Sequence, residues 1–440
     1  MKSLLALVIA ILALSAAVPS NAAYETGGVV KMMLSNGVTL LVKPEPESKV
    51  AAVEIFVRVG AQDEREGSAG IGQILAGSVL AGSTTRSRVR LSRLAAEAGG
   101  NFHSVWQWNY IETYAVTLPS AYGEAISLLA DAIQNSSLDA VAIERSRSTI
   151  MREMGRQQDD PFNSALTLLR RSMYEGMPYG RSYLGDPDDV KSISVQQVKD
   201  FYQRNFTSDR IVVSVVGNVN PEAVARRVEI CLRNMKQGSS ASRKVQPVSV
   251  VTREIVGQSS GKATYVMVGY PAPGIEDKSY PAMCVANVLL GGNKSSLLFT
   301  KLREEKGLGY LVGSQITSMS GSSSIAAYLG MDANRATPEV VKTVKSTIID
   351  QVSTLQGGGF TDRDLERAKR YLIGKHALGR ERTRDRAFNI GFSEILGLGY
   401  QSDIPACYAD VVNGVTREDV IGVCNRYLSR PTMLVYSGTN

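Results

Sequence analysis

The chain repeats one local pattern at two places half a chain length apart, and this repeat restricts the fold more than any other feature. Ser194-Val-Gln-Gln197 and Thr416-Arg-Glu-Asp419 each have a hydroxyl residue followed three positions later by a polar acceptor, the pattern of a helix capping box. An apolar run follows each stretch, beginning at Ile211 in the first copy and at Met433 in the second. The shared order predicts an internal duplication of about 200 residues per copy.

Each copy mixes strand and helix signals, so the predicted fold class is α+β. The first copy begins with a hairpin predicted over residues 30–43, with Asn36-Gly37 as its two-residue turn. We predict two duplicated α/β domains, each with a mainly antiparallel sheet covered by helices. The predicted boundaries are 23–236 for the first domain, 237–250 for a linker of small and polar residues, and 251–440 for the second domain.

Residues 1–22 have the pattern of a signal peptide. Lys2 gives a positive start, residues 4–17 are apolar, and Ser20-Asn-Ala22 is a small-residue cleavage site. The apolar run is too short for a comfortable membrane span. We therefore expect a periplasmic or secreted protein that is cleaved near Ala22 and has no stable membrane span.

Charge and residue usage argue against several classes of protein. The formal net charge is +7, but the basic residues are dispersed among acids, so nucleic acid is not an expected partner. His103 and His376 are the only two histidines, too few for a histidine-based metal site, and His376 is expected to be solvated on a helix. The four cysteines are Cys231, Cys284, Cys407 and Cys424. Free thiols are favoured for them, with a disulfide between Cys407 and Cys424 as the alternative.

The stretch from Gly67 to Gly82 predicts a helix with one apolar face. Apolar residues recur at helical spacing, at Ile71, Ile74, Leu75 and Val79. Its frame, Gly-Ser-Ala at the start and Gly-Ser-x-x-Arg at the end, resembles the metal-site helix of the pitrilysin/insulinase family of zinc metallopeptidases. That family has His-x-x-Glu-His inside the helix, and we assign those five places to residues 70–74 of this chain.

The resemblance implies a metal site that has lost its chemistry. Two histidines one turn apart hold zinc in this motif, and the glutamate between them acts as general base. The predicted equivalent positions are Gly70, Gln73 and Ile74, which provide neither ligands nor a base. Glu153 is the predicted equivalent of the family's third ligand, and alone it cannot hold zinc. The chain is therefore expected to have no catalytic residue and no cofactor of its own.

The second half is similar to the family in a way that implies retained function. Arg303 precedes Gly307, and Tyr310 follows at the start of the next predicted strand. Family members use an arginine and a tyrosine at this spacing to hold the substrate, because both side chains donate hydrogen bonds to a carbonyl oxygen or a carboxylate. The resemblance also places Asn101 and His103 on a strand where relatives pair with an extended peptide.

The family also includes two-chain enzymes, in which one chain has the zinc motif and the other the Arg/Tyr pair. The resemblance therefore implies a non-catalytic subunit of an exported heterodimeric zinc peptidase, inactive alone, with zinc only in a homologous partner that has an intact His-x-x-Glu-His motif. The alternative is a non-enzymatic scaffold or peptide-binding protein of the same fold, which the resemblance places in two similar domains closed like a clamshell.

Overall fold

The structure is a computed structural model of the chain, and it describes residues 24–238, 252–259 and 261–439. The predicted signal peptide at 1–22 and most of the predicted linker at 237–250 lie outside these residues. Among the helices that the structure describes, none is long and apolar enough to cross a membrane.

The first half forms a seven-stranded sheet in the order β1-β2-β3-β7-β4-β6-β5. The strands are β1 (Tyr24–Thr26), β2 (Val29–Met33), β3 (Thr39–Pro44), β4 (Ala51–Val57), β5 (Phe102–Trp106), β6 (Ile111–Thr117) and β7 (Ile211–Gly217). The predicted hairpin is confirmed, because β2 pairs with β3 antiparallel, but its predicted two-residue turn is wrong. The Leu34 N–H donates to the Val38 carbonyl, so the loop has three residues, 35–37, with Gly37 in the left-handed conformation that such a loop favours. The β3–β7 pair is parallel and the other pairs are antiparallel.

The second half forms a five-stranded sheet in the order β10-β11-β9-β12-β8. Its strands are β8 (Arg253–Gln258), β9 (Ala263–Pro273), β10 (Leu311–Thr317), β11 (Ser322–Asp332) and β12 (Thr432–Ser437). Read from β8, this order matches β3-β7-β4-β6-β5 strand for strand, and the single parallel pair, β8 with β12, occupies the place of β3 with β7. The internal duplication and the predicted fold class are confirmed.

Helices cover both sheets. They are α1 (Ile71–Val79), α2 (Arg88–Glu97), α3 (Tyr122–Asn135), α4 (Ala140–Gln158), α5 (Pro161–Met173), α6 (Pro187–Ser192), α7 (Val195–Asn205), α8 (Pro221–Leu232), α9 (Tyr280–Asn287), α10 (Pro338–Gln356), α11 (Asp362–Leu378), α12 (Thr383–Ile395), α13 (Pro405–Asn413) and α14 (Arg417–Tyr427). The two predicted capping boxes begin α7 and α14, where Ser194 and Thr416 accept the N–H groups of Gln197 and Asp419.

Each half lends one helix to the sheet of the other. Helix α12 of the second half packs on β4 and β7 of the first sheet, and α5 of the first half packs on β9 and β12 of the second. Gly391 of α12 lies against Phe56, where a Cβ would overlap the ring, so the missing side chain allows the close approach. The Ser214 hydroxyl of β7 donates to the Ala387 carbonyl of α12 at 2.7 Å. This exchange ties the halves together.

Candidate functional site

The degenerate metal helix α1 begins later than predicted and buries its apolar stripe. Gly70 is the residue before the helix, with φ of +102°, a left-handed conformation that favours glycine. Ile74 is 0% exposed and belongs to the core of the first half. Position 70 lies before the helix and position 74 lies in the core, so side chains at these two positions could not bind one metal ion together. The assignment of the metal-site equivalents to residues 70–74 is therefore wrong.

Gln73 and Gly77 are the one-turn pair on the side of α1 that faces helix α4. Gln73 is half-buried and Gly77 is exposed, and a Cβ at 77 would overlap the Ser146 hydroxyl of α4. Glu153 lies two turns after Ser146, on the same face of α4. The geometry therefore favours 73–77 as the five places of the motif, with Ala76 in the place of the base. The apolar stripe already contained the signal, because it assigns Ile74 to the buried face.

We expect Ile74→His to lower the free energy of unfolding far more than Gln73→His does. The first substitution removes a core side chain and buries an imidazole, which costs about 3 kcal/mol or more. The second changes a half-buried side chain and should cost less than about 1 kcal/mol. Urea unfolding of the two variants measures the difference. Equal losses would contradict the placement of 74 in the core and 73 outside it.

The Glu64 side chain caps the N-terminus of α1. Its two carboxyl oxygens accept the N–H groups of Gly70 and Gly72, both at 3.0 Å, and its side chain is almost fully buried. Burial raises the pKa of Glu64 to about 8, although the two N–H groups and Arg181 act in the opposite direction. The Trp106 ring fills the space beside Gly72, where a Cβ would overlap the indole. The Trp106 ring therefore occupies the space beside the first turn of α1.

The residues at this helix do not fit a zinc ion. Glu153 is exposed, and its nearest charged partner is Arg156 at 3.8 Å. Within the ranges that the structure describes, no group of three or more His, Cys, Asp or Glu side chains is arranged to hold a metal. Glutamine, alanine and glycine at the three key places of α1 provide neither an imidazole nor a carboxylate. The statement that zinc is held only by a partner stays a prediction.

Asn101 and His103 lie at the outer edge of the first sheet. In the described part of the chain, β5 pairs with β6 alone, so its other side is open to an added strand. Both side chains are exposed, and the His103 ring stacks on Tyr114 with centroids 4.8 Å apart. This geometry is suited to pairing with an extended peptide, while the binding role itself stays a prediction. Trp106 and Trp108 pack in the core of the first half.

A charged cluster is buried between this sheet and α12, and it was not anticipated from the sequence. Glu54 of β4 is 0% exposed and Glu112 of β6 is 2% exposed. Arg384 of α12 forms ion pairs with both, at 3.1 Å to Glu54, and its guanidinium lies 4.2 Å from the centre of the Tyr114 ring. Burial, then the neighbouring Glu112, raises the pKa of Glu54 well above its usual value. Nothing local in the sequence connects these residues.

Arg303 and Tyr310 come together at the turn that leads into β10. Arg303 lies in a π-helical turn, Phe299–Glu305, and its guanidinium donates to the carbonyl of Gly309, the residue before Tyr310. Gly307 and Gly309 have φ of +63° and +65°, which turns the chain back on itself. The Arg303 side chain is exposed, and Tyr310 is 54% exposed. Two hydrogen-bond donors are thus presented side by side to solvent.

His376 is not a solvated residue, contrary to the expectation from the sequence. Its Nε2 lies 3.0 Å from the Asp403 carboxylate, and its ring stacks on Tyr408 with centroids 4.0 Å apart. Burial, followed by the nearby Arg380, lowers the pKa of His376 to about 4, so the ring is neutral at neutral pH. The role of His376 is to hold α11 in place.

All four cysteines are free thiols.

Comparisons with known proteins match this architecture. Residues 39–187 match the family model described as Insulinase (Peptidase family M16), and residues 192–372 match the Peptidase M16 inactive domain. An uncharacterized zinc protease of Streptomyces coelicolor is 27% identical over 422 residues, covering 94% of this chain and 90% of that protein. The uncharacterized zinc protease YmxG of Bacillus subtilis is 24% identical over 390 residues, covering 87% and 93%.

Two solved structures share the fold. A protease from Helicobacter pylori has a TM-score of 0.82 at 18% identity, covering 93% of this chain and 99% of that one. A peptidase M16 inactive domain from Pseudomonas fluorescens also has a TM-score of 0.82 at 18% identity, covering 94% and 98%. The duplicated halves, the degenerate helix and the two consecutive family matches establish that the chain belongs to the insulinase family of peptidases, M16, as a degenerate member.

Proposed function

We propose that this protein is the non-catalytic subunit of an exported heterodimeric zinc peptidase. Its Arg303 and Tyr310 would hold the carbonyl of a peptide against a homologous partner chain that has an intact His-x-x-Glu-His motif. The observation that supports this most is the exposed donor pair at the turn before β10, in a chain whose helix α1 has no metal ligands. One half of a two-part site is kept and the other half is lost.

The charge and geometry of the pair fit a peptide carbonyl. A guanidinium and a phenol offer several N–H and O–H donors. The open edge of β5 could hold the same peptide through backbone hydrogen bonds. Since the family relatives named above are called zinc proteases and this chain matches the inactive-domain model, a partner with the zinc site accounts for both observations.

Reconstitution tests the proposal. The chain, mixed with a candidate partner that contains the zinc motif, should produce peptidase activity that neither chain has alone. Arg303→Ala should lower kcat/KM roughly 10- to 100-fold, because it removes a charged hydrogen-bond donor, and Tyr310→Phe roughly tenfold, because it removes a neutral one. Lys301→Ala is the matched control, since Lys301 is a cation on the same turn that pairs with Glu305 at 2.7 Å.

The outcomes separate the two candidate functions. If the mixture is active and both variants match the wild type, the Arg/Tyr role is wrong. If a complex forms and binds peptide but gains no activity, the chain is a scaffold or peptide-binding protein instead. If the desalted chain alone retains one zinc per molecule and cleaves peptides, the assignment as a non-catalytic subunit fails.

A further inference from the structure

A cavity in the first half of the chain lies between the start of α1 and the end of α7. Its volume is about 380 Å³, and Ile71 of α1 and Phe201 of α7, both buried, form the apolar part of its wall. A second cavity, of about 760 Å³, shares Arg204, Thr207 and Gly238 with the first. The first cavity alone has the size at which protein cavities bind small molecules, about 300–1,000 Å³.

Positive charge predominates in the wall of the first cavity. Three arginines line it, Arg65, Arg204 and Arg210, together with one carboxylate, Asp63. In the part of the chain that the structure describes, the side chains of Arg65 and Arg204 are exposed and have neither an ion pair nor a hydrogen bond. Arg210 donates one N–H to the Asn205 side-chain oxygen, at 3.0 Å. Most of the guanidinium donors are therefore available to a ligand.

A buried hydroxyl in the same wall has no partner. Thr207 lines both cavities and is 4% exposed, and its Oγ1 makes no hydrogen bond with any described residue. A buried hydroxyl without a partner costs free energy, which a ligand or a water molecule would recover. Asp209 lines neither cavity, and its Oδ1 accepts the Gly238 N–H at 3.0 Å. The Thr207 hydroxyl is therefore a free donor in the wall of a cationic cavity.

We propose that this cavity binds the phosphate group of a small molecule. A phosphate monoester has a charge of about −1.5 to −2 at neutral pH, which matches two more cations than anions in the wall, whereas a carboxylate has only one negative charge. The forked N–H donors of Arg65 and Arg204 suit phosphate oxygens, and the Thr207 hydroxyl donates to a further one. The carbon atoms of a phosphate ester would lie against Ile71 and Phe201.

The site does not depend on the proposed peptidase role, so the isolated chain is sufficient for the test. Titration calorimetry at pH 7.5 and constant ionic strength compares inorganic phosphate, glycerol phosphate and acetate. Both phosphate compounds should bind, and acetate should bind about tenfold more weakly or less, because it has one charge and two oxygens. The tighter of the two phosphate compounds distinguishes free phosphate from a phosphate ester as the ligand. The proposal fails if neither phosphate compound binds, or if acetate binds equally well.

Three variants locate the binding. Arg204→Gln should weaken phosphate binding about tenfold or more, and Thr207→Val about three- to tenfold, the usual effects of losing a charged and a neutral donor. Lys199→Gln is the matched control and should bind like the wild type, because it removes one positive charge from α7 and Lys199 lines neither cavity. Without phosphate, Thr207→Val should unfold at the same urea concentration as the wild type or a higher one, since the lost hydroxyl had no partner. If Lys199→Gln weakens binding as much as Arg204→Gln, the attraction comes from overall charge and the proposed site is wrong.

Discussion

Arg384→Met should destabilise the protein by about 3 to 5 kcal/mol at pH 8, the usual loss when one partner of a buried ion pair is removed. Arg384 is the cation that pairs with both Glu54 and Glu112, which are 0% and 2% exposed. Its loss leaves two carboxyl groups facing each other in a low-dielectric environment. The free energy of unfolding, measured in urea at pH 8, gives the effect.

The loss should be smaller at pH 5, and the sign follows from linkage. Burial raises the pKa of both Glu54 and Glu112, so the folded state holds more protons than the unfolded state above the usual carboxyl pKa. The stability contributed by these groups therefore falls as pH rises from the usual carboxyl pKa to the raised pKa of the folded state. Protonation at pH 5 neutralises the carboxyl groups and removes most of the repulsion that the variant introduces.

A matched triple variant separates charge from packing. Arg384→Met combined with Glu54→Gln and Glu112→Gln removes all three charges, so it should recover most of the stability at pH 8 and show little pH dependence. Arg384 also lies over the Tyr114 and Phe388 rings, and this contact is lost in both variants. If single and triple variants lose the same stability at both pH values, packing rather than charge accounts for the role of Arg384.

Glu64→Gln should remove a pH dependence of about 4 kcal/mol between pH 5 and pH 8, since each unit of pKa shift corresponds to about 1.4 kcal/mol. In the wild type, burial raises the pKa of Glu64 to about 8. The folded state then keeps a proton that the unfolded state has lost, so wild-type stability falls as pH rises through this interval. Glutamine cannot titrate and lacks this slope.

The comparison is the difference in unfolding free energy between the wild type and Glu64→Gln at pH 5, 6, 7 and 8. At pH 5 the wild type should be the more stable, because the hydroxyl oxygen of protonated Glu64 can still accept a hydrogen bond, whereas glutamine turns an NH₂ donor toward one of the two N–H groups of Gly70 and Gly72. With rising pH the variant should approach the wild type or exceed it. A difference that stays constant would mean that Glu64 is ionised throughout, with the N–H groups and Arg181 offsetting its burial.

The position of the metal motif along α1 shows what local sequence patterns can and cannot assign. The helix itself and its buried stripe follow from the spacing of Ile71, Ile74 and Leu75. The assignment of the metal positions followed the frame of flanking glycine and serine residues, and it placed one of them in the core. The apolar stripe already assigned Ile74 to the buried face, and the contact of Gly77 with Ser146 of α4 identified the face on which Gln73 and Gly77 lie.

The Arg/Tyr pair was identified through the family resemblance, and its two members lie close together in the chain, with Gly307 and Gly309 in the turn between them. Its surroundings were not. Gly330 of β11 accepts the Tyr310 N–H, and Tyr265 of β9 pairs with Gly330. Phe162, from the other half of the chain, packs against Tyr265. The edge position of β5 likewise depends on strand order, which comes from pairing between distant segments.

The sequence by itself determined the capping boxes at Ser194 and Thr416, the hairpin and the helix without ligands, because each depends on residues within a turn or two of one another. It also determined the duplication, because such local patterns recur in the same order in both halves. The tertiary structure alone decided that α5 and α12 exchange sheets, that Arg384 meets Glu54 and Glu112, and that Phe162 packs against Tyr265 and Tyr328. Those contacts join residues far apart in the chain, and they form because a buried apolar face, a buried charge or a buried hydroxyl needs a partner that only the folded chain supplies.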